Sequence, residues 1–411
     1  MPGDSPADET SASPAGSPTA GPAPSSTALP GTALPAPADP VRTVGILGGG
    51  QLGRMLTLAA ARLGIRTVVL CPEAGSPAFD VAAEAIVAAY DDEAALTRLA
   101  AASDVVTYEF ENVPAATAAF LAARRPVRPG PRALEVSQDR LTEKRFIADL
   151  GLPVAGFRAV DDRAALDAAL AELGYPAILK TRRFGYDGKG QMKIARPDDV
   201  AGALAALGGQ PAILESLVPF RFEISVLVAR GLDGAVASFD VPQNEHRDHI
   251  LKFSRVPAAI RPETAAAARA LGERIAVALD YVGVLAVELF VVDAGDEERL
   301  VVNEIAPRVH NSGHWTESAC VVSQFEAHIR AVAGLPLGRL DRFADVEMEN
   351  LIGAEVDAAP RLMAEPATSV HLYGKRETRP GRKMGHVNRL VSSRRGTAAI
   401  PRDDGGNASA R

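Results

Sequence analysis

Val284-Leu285-Ala286-Val287-Glu288-Leu289-Phe290-Val291-Val292 and Leu300-Val301-Val302-Asn303-Glu304 are two apolar runs, each broken by a glutamate, with Asp293 to Arg299 between them. Runs of this length and composition read as buried strands. If they pair as a hairpin across the turn at Asp293 to Glu298, both carboxylates can face the same side. An unpaired buried acid is costly, so two together suggest a cation between them; magnesium, held by a few oxygens and by nucleotide phosphates, suits such a pair. The competing reading is two buried acids bonded to Arg308. The second run empties into Ile305-Ala306-Pro307-Arg308-Val309-His310-Asn311-Ser312-Gly313-His314-Trp315. A strand-end Glu, an Arg and two His within a short loop form a catalytic type of constellation, whereas a polar loop with one ion pair and a Trp plug is the bland alternative.

Around this hairpin, residues 154–345 carry more strand than helix. Strands are predicted at 178–180, 192–194, 212–216, 223–229, 235–239, 284–292 and 300–304, and helices at 163–173, 197–208 and 263–280. That pattern is α+β with a mainly antiparallel sheet. Lys180 ends one strand, and Gly185-Tyr186-Asp187-Gly188-Lys189-Gly190-Gln191 leads to the next. Three glycines in seven residues give a flap whose amides can close over a triphosphate while Lys180 neutralises it; a hairpin with no ligand is the alternative. Glu215, with Ser216, Leu217 and Val218 behind it, reads as an edge segment whose backbone can meet an adenine ring, or as an ordinary strand exit.

The N-terminal part has a different rhythm. VGILG from Val44, GGQLGRM opening a helix to Leu63, and TVVL at 67–70 give strand, glycine turn, helix, strand. Further apolar runs at 104–107 and around Val127 alternate with helices at 91–101 and 114–124, so a parallel sheet is expected. Gly48-Gly49-Gly50-Gln51-Leu52-Gly53 has the spacing of a dinucleotide fingerprint, and Glu73 lies about where a ribose-binding acid would. Its physical content is less specific: amides at a helix N-terminus hold any phosphate, and a tight turn without ligand has the same sequence. A charged helix at 139–150 ends at Gly151-Leu152-Pro153, and a boundary is placed near Leu150. From Leu351 short strand-like segments carry the basic stretch YGKRETRPGRKMGH at 373–386.

The first 40 residues contain ten of the thirty prolines and four acids but no Lys or Arg, and are expected to be disordered. Those acids account for most of the net charge of −7, and the body has no basic stripe for nucleic acid. With no signal-peptide pattern and no membrane-length apolar run, a cytoplasmic protein is expected. Cys71 and Cys320 stand far apart without a second Cys near either, and read as reduced core thiols. The expected division is a disordered head 1–41, an N-terminal α/β domain 42–150, a central domain 151–345, a small C-terminal β-rich domain 346–395 and a flexible tail 396–411.

The ordered set GGGQLGRM, SQDRLTEK, Lys180 with GYDGKGQ, Glu215, Glu288, NEIAPRVHNSGHW and RPGRKMGH resembles the N5-carboxyaminoimidazole ribonucleotide synthetase family, ATP-grasp ligases of purine biosynthesis. The resemblance spans about 42–395. It implies an ATP-grasp fold: a parallel-sheet nucleotide-type domain, an ATP-grasp body with a mobile lid, and a small C-terminal domain. By matching position it implies ATP contacts from Arg140, Lys180, Gly185 to Gln191, Glu215 to Val218, Glu223, His246, Asn303 and Glu304, with magnesium on Glu288, Glu304 and Asn303. The glycine turn would then hold the phosphate of aminoimidazole ribonucleotide rather than a dinucleotide. Its contacts would be Gly50, Gln51 and Leu52 by backbone and Lys375 and Arg382 by charge, with Glu111, Tyr186, Asp187, Lys189, His310, Asn311 and Ser312 around the ring and ribose. Bicarbonate as co-substrate, carboxyphosphate held by Arg308, Lys180 offsetting phosphoryl charge, and a homodimer complete what it implies. Three alternatives compete with this reading: a formate-using transformylase of the same superfamily, a nicotinamide-dependent oxidoreductase, and a nucleotide-binding module without turnover.

Overall fold

The computed structural model describes residues 39–185 and 188–393. The head before 39, the tail after 393, and Tyr186 and Asp187 lie outside the described residues. Three sheets organise the rest. The first is parallel and four-stranded, in the order Glu84–Val87, Arg66–Cys71, Thr43–Leu47, Val105–Tyr108. Val44, Ile46, Val69, Leu70, Val105 and Val106 are buried as covering helices on a parallel sheet require. Expected strand 127 is reduced to a single bridge from Val127 to Val106, because Pro126 and Pro129 flank it and proline cannot donate to a ladder.

The second sheet is antiparallel, in the order Phe157–Val160, Ala212–Ser216, Ala177–Thr181, Gln191–Ile194. Helix Arg163–Leu173 packs on it, its first turn closed by the Asp162 carboxylate accepting from the Ala165 amide. The helix expected over 197–208 is instead a 3-10 turn, Pro197–Val200, and a single α turn, Ala203–Ala206. Gly202 between them has φ +84°, which ends one helix before the next begins. Ala212–Ser216 is an interior strand of this sheet, so the expectation that Glu215 sits on a sheet edge is corrected.

The third sheet runs Glu297–Ala306, Gly283–Ala294, Phe222–Arg230, Gln243–Arg247, Ile250–Val256, Ala344–Ile352, Lys383–Ser393, Thr368–Leu372, with Val236–Ser238 beside Phe222–Arg230. All its pairings are antiparallel. The C-terminal strands therefore continue the central sheet through the Phe253–Glu349 register. Helix Pro262–Ala278 covers one part of it. Helix Gln324–Ala333, which the sequence reading did not foresee, is buried nearly all round although Phe325, Ile329 and Val332 recur at helical spacing and Ser323 caps it by accepting from the Glu326 amide. It locks two sheets together: His328 Nδ1 accepts from the Val284 amide at 3.0 Å, leaving Nε2–H to donate to Thr107 Oγ1 at 2.8 Å. The ends of strands 105–108 and 283–306 are thereby held at one cleft.

Candidate active site

The hairpin Gly283–Ala294/Glu297–Ala306 places Glu288 directly opposite Glu304. A bulge follows: Leu289 pairs with Val302, leaving Asn303 as the extra residue. Helix Arg140–Asp149 pins this bulge from outside. Its Lys144 Nζ donates to the Asn303 carbonyl at 2.7 Å, and its Glu143 Oε1 accepts from the Ile305 amide at 2.7 Å. The helix is itself fixed by Asp139, whose carboxylate accepts from the Leu141 and Thr142 amides and pairs with Arg182. Glu288, Glu304 and Asn303 of the bulge line the cleft, and Asn303 Oδ1 is buried without a hydrogen-bond partner.

Neither glutamate bonds Arg308, which pairs with Glu111; the internal ion pair of Glu304 is with Arg140 instead. Burial would raise the Glu304 carboxyl, but the Arg140 guanidinium, donating at 2.7 Å, pulls it down to about 2. Burial and the facing Glu304 push Glu288 up to about 8, with His310 Nε2 3.2 Å from its Oε1. His310 is held well below the usual imidazole range by burial and by Arg308. Its Nδ1 meets Ser312 Oγ at 2.8 Å, and the chain continues through Ser225, Asn244 and Ser254. Ser312 is fully buried, so it sets the His310 ring and does not line the cleft.

The cleft encloses about 540 Å³. It brings together Gly50, Gln51, Leu52, Glu111, Arg140, Lys180, Gly185, Gly188, Lys189, Gln191, Glu223, His246, Glu288, Asn303, Glu304, Arg308, His310 and Asn311 of the residues picked out from sequence. Lys180 pairs with Glu215 at 3.0 Å, and Lys144 approaches the same carboxylate at 3.4 Å. Glu215 is thus a buried counter-ion behind the cleft. Ser216, Leu217 and Val218 border a separate cavity of about 230 Å³ with Pro153, Val154 and Arg299. The Ser216 and Leu217 amides already donate to the Gly156 and Pro176 carbonyls. His246 Nδ1 lies 3.0 Å from Glu223 Oε2; burial would lower the imidazole, but this partner raises it. Arg308 grips Glu111, Nη2 donating to Oε1 at 3.1 Å and Nε to Oε2.

At the opposite end lies the glycine turn. Glu109 Oε1 accepts from the Gly50 amide and Oε2 from the Gly53 amide, both at 2.5 Å. A Cβ on Gly48 or Gly50 would fall within 3.0 Å of the Glu109 side chain, and one on Gly53 would lie 3.2 Å from it. The three glycines that mimic a dinucleotide fingerprint therefore make room for a carboxylate of the same chain. Glu73 is exposed on the turn after strand 66–71 and plays no part here. Lys375 lies outside the cleft lining, donating to the Lys383 carbonyl at 2.6 Å, and Arg382 donates to the Glu377 carbonyl at 2.9 Å. Burial, then the neighbouring Arg382 and Lys383 charges, bring Lys375 down to about 8, against the opposing pull of Glu109. Lys383 itself lines the cleft.

Glu109, Glu143, Lys144, Lys383 and His249 were not singled out from sequence. A signal existed for three of them. Glu109 stands two residues before Glu111 in the strand exit YEFE. Glu143 and Lys144 stand three and four after Arg140, on its helix face.

Comparison with known proteins identifies the family and the fold. Residues 41–138 match the ribonucleotide synthetase preATP-grasp domain, 145–325 the ATP-grasp domain, and 347–399 the phosphoribosylaminoimidazole carboxylase C-terminal domain. An N5-carboxyaminoimidazole ribonucleotide synthase of Brucella melitensis is 57% identical, over 85% of this chain and 97% of the relative. That of Pseudomonas aeruginosa is 46% identical, over 85% and 95%. Among solved structures, an ADP complex of N5-carboxyaminoimidazole ribonucleotide synthetase superposes with a TM-score of 0.82 at 44% identity, covering 87% of this chain and 94% of that one. An Aspergillus clavatus synthase holding ADP and 5-aminoimidazole ribonucleotide gives 0.79 at 33%, covering 86% and 94%. On its sequence and its fold, the chain belongs to the N5-carboxyaminoimidazole ribonucleotide synthase family of ATP-grasp ligases.

Proposed function

We propose that this chain carboxylates the exocyclic amine of 5-aminoimidazole ribonucleotide at the expense of ATP, with bicarbonate as the carbon source, in purine biosynthesis. The observation that carries this reading is the polarity of one cleft. Facing carboxylates and an orphaned amide oxygen stand at one end, and a glycine turn beside clustered cations at the other. Lys375, Arg382 and Lys383 repel one another, so a phosphate among them would lower their energy. Glu109 already takes the Gly50 and Gly53 amides, which argues against a dinucleotide pyrophosphate there and corrects the expected Gly50 contact, leaving the Gln51 and Leu52 amides for a ribonucleotide phosphate.

In this reading a bicarbonate oxygen attacks the γ-phosphorus of ATP and the bond to ADP breaks. The carboxyphosphate formed releases carbon dioxide and phosphate, and the amine nitrogen bonds the carbon with loss of a proton. Phosphoryl transfer relies on positioning and charge stabilisation more than on covalent help. Arg140 and Lys180 meet the phosphates, and Glu215 and Asp139 keep Lys180 and the neighbouring Arg182 aimed at the cleft. Arg308, oriented by Glu111, holds carboxyphosphate. Neutral His310, fixed by Ser312, orders the heterocycle. Glu288, Glu304 and Asn303 Oδ1 form an all-oxygen donor set that fits magnesium, with Asn303 Oδ1 gaining the partner it lacks. Bound there, the ion supplies charge neutralisation on the nucleotide phosphates. The hairpin 177–194 with its glycine loop closes over the nucleotide, which also shelters carboxyphosphate from water. A homodimer in the cytoplasm belongs to the same reading; among the described residues no helix is long and apolar enough to cross a membrane.

The test is ADP release measured with and without bicarbonate and 5-aminoimidazole ribonucleotide. The expected result is ADP formation that requires bicarbonate and rises with the ribonucleotide. ADP release supported by formate, or indifferent to bicarbonate, overturns the reading.

A further inference from the structure

Away from the cleft, a second group of ligand-type side chains converges where the loop after His310 meets the C-terminal strands. His371 and His386 are direct cross-strand partners on strands Thr368–Leu372 and Lys383–Ser393. Glu317, from the short helix Thr316–Ala319, reaches between them. Its Oε2 lies 3.5 Å from His371 Nδ1 and 3.6 Å from His386 Nε2, and the three donor atoms fall within 4.8 Å of one another. Both Glu317 Oε2 and His386 Nε2 are buried and make no hydrogen bond, and His386 is completely buried. A buried carboxylate oxygen aimed at two imidazole nitrogens without bonding either is an expensive arrangement unless something is shared between them.

We propose that Glu317, His371 and His386 form a binding site for a divalent transition ion of the zinc type, distinct from the nucleotide cleft. Two imidazoles and one carboxylate with a position left for water is a common zinc set. Tetrahedral ligands about 2 Å from zinc stand about 3.3 Å apart, close to the two glutamate–histidine separations. Outer partners for both rings are in place: His386 Nδ1 lies 3.0 Å from Tyr373 Oη, and His371 Nε2 lies 3.2 Å from Ser369 Oγ. Such partners fix the ring that carries the ligating nitrogen. His314 packs beside His386 at 4.8 Å between ring centres, with its own Nε2 buried and unbonded. One adjustment is required. His371 and His386 stack at 4.4 Å with 6° between their planes, whereas a metal lies in the plane of each imidazole that binds it. His371, 27% exposed, is the ring with room to turn, and Glu317, 21% exposed, leaves the ion a way in. An ion here would tie the C-terminal strands to the segment that carries His310.

The inference does not rest on the carboxylation reading, since zinc uptake is measured without ATP or ribonucleotide. The full chain, stripped with chelator, is titrated with zinc chloride by calorimetry in excess magnesium, which keeps the all-oxygen set of the cleft occupied. One equivalent of zinc is expected, weakened at least about tenfold in His371→Ala and in Glu317→Gln. Cobalt(II) added to the unmodified chain is expected to give the visible bands of a tetrahedral nitrogen- and oxygen-ligated site, so the result stands even if a variant misfolds. Failure of the unmodified chain to bind zinc overturns the proposal, as does zinc binding that is indifferent to both substitutions or cobalt bands of octahedral type.

Discussion

Each end of the cleft holds carboxylates, but the two ends satisfy them in opposite ways. At the glycine turn, Glu109 bonds two backbone amides and fills the space above three glycines, so its lone pairs are spoken for within the chain. At the hairpin, Glu288 and Glu304 face each other, one held by Arg140 and the other repelled, with Asn303 Oδ1 left unbonded. A buried carboxylate bonded by two backbone amides is structure; a facing pair, with Arg140 on one member and His310 on the other, still lines the cleft and carries the proposed cation site. The same glycine spacing and the same strand-end acids would not distinguish these cases without the partners.

The sharpest way to break the contrast is Glu304→Gln. A neutral amide cannot replace a metal-bound carboxylate, so ADP formation is expected to fall by a factor on the order of a hundred or more while the fold persists. Near-normal turnover with unchanged circular dichroism would remove Glu304 from the metal set. Glu109→Gln probes the satisfied end. It turns one acceptor of two amides into a donor facing an N–H, and should cost about 2 kcal/mol of stability in chemical denaturation. An unchanged midpoint would mean that the glycine turn holds itself.

Lys375→Ala should raise the half-saturating concentration of 5-aminoimidazole ribonucleotide about tenfold, with that of ATP little changed. Arg382→Ala should do the same but by less, since Arg382 sits further out on the Glu377 carbonyl. A fall in ATP affinity instead would move the phosphate elsewhere.

The smallest effect concerns pH. Glu288 titrates near 8 in the folded chain, above its unfolded value, so its share of stability is complete below about pH 4.5 and is lost as pH rises through 8. Glu304, depressed to about 2, contributes stability that is present above pH 4.5 and lost as pH falls towards 2. Glu143 and Glu317 share the first behaviour, so Glu288→Gln should flatten part of the stability decline between pH 5 and 8, measured without metal or nucleotide. A decline as steep as that of the parent chain would show that Glu288 is ionised throughout.

Residue order alone determined much of this protein. Alternating βα runs in 44–108 require a parallel sheet, and the two glutamate-broken runs at 284–304 require a hairpin, because period and apolar length are local properties. The strings GYDGKGQ and NEIAPRVHNSGHW carried the family, for they hold the residues chemistry demands at fixed spacing. Partners were decided only in three dimensions. That Arg140 rather than Arg308 binds Glu304, that Glu111 belongs to Arg308, and that Glu215 braces Lys180 all join residues from different strands and helices. The continuation of the central sheet into the C-terminal strands was hidden for the same reason, whereas helix 324–333 was legible in the capping Ser323 and in Phe325, Ile329 and Val332 at helical spacing. Strand order between distant segments is set by packing and hydrogen bonding that no short window of sequence contains.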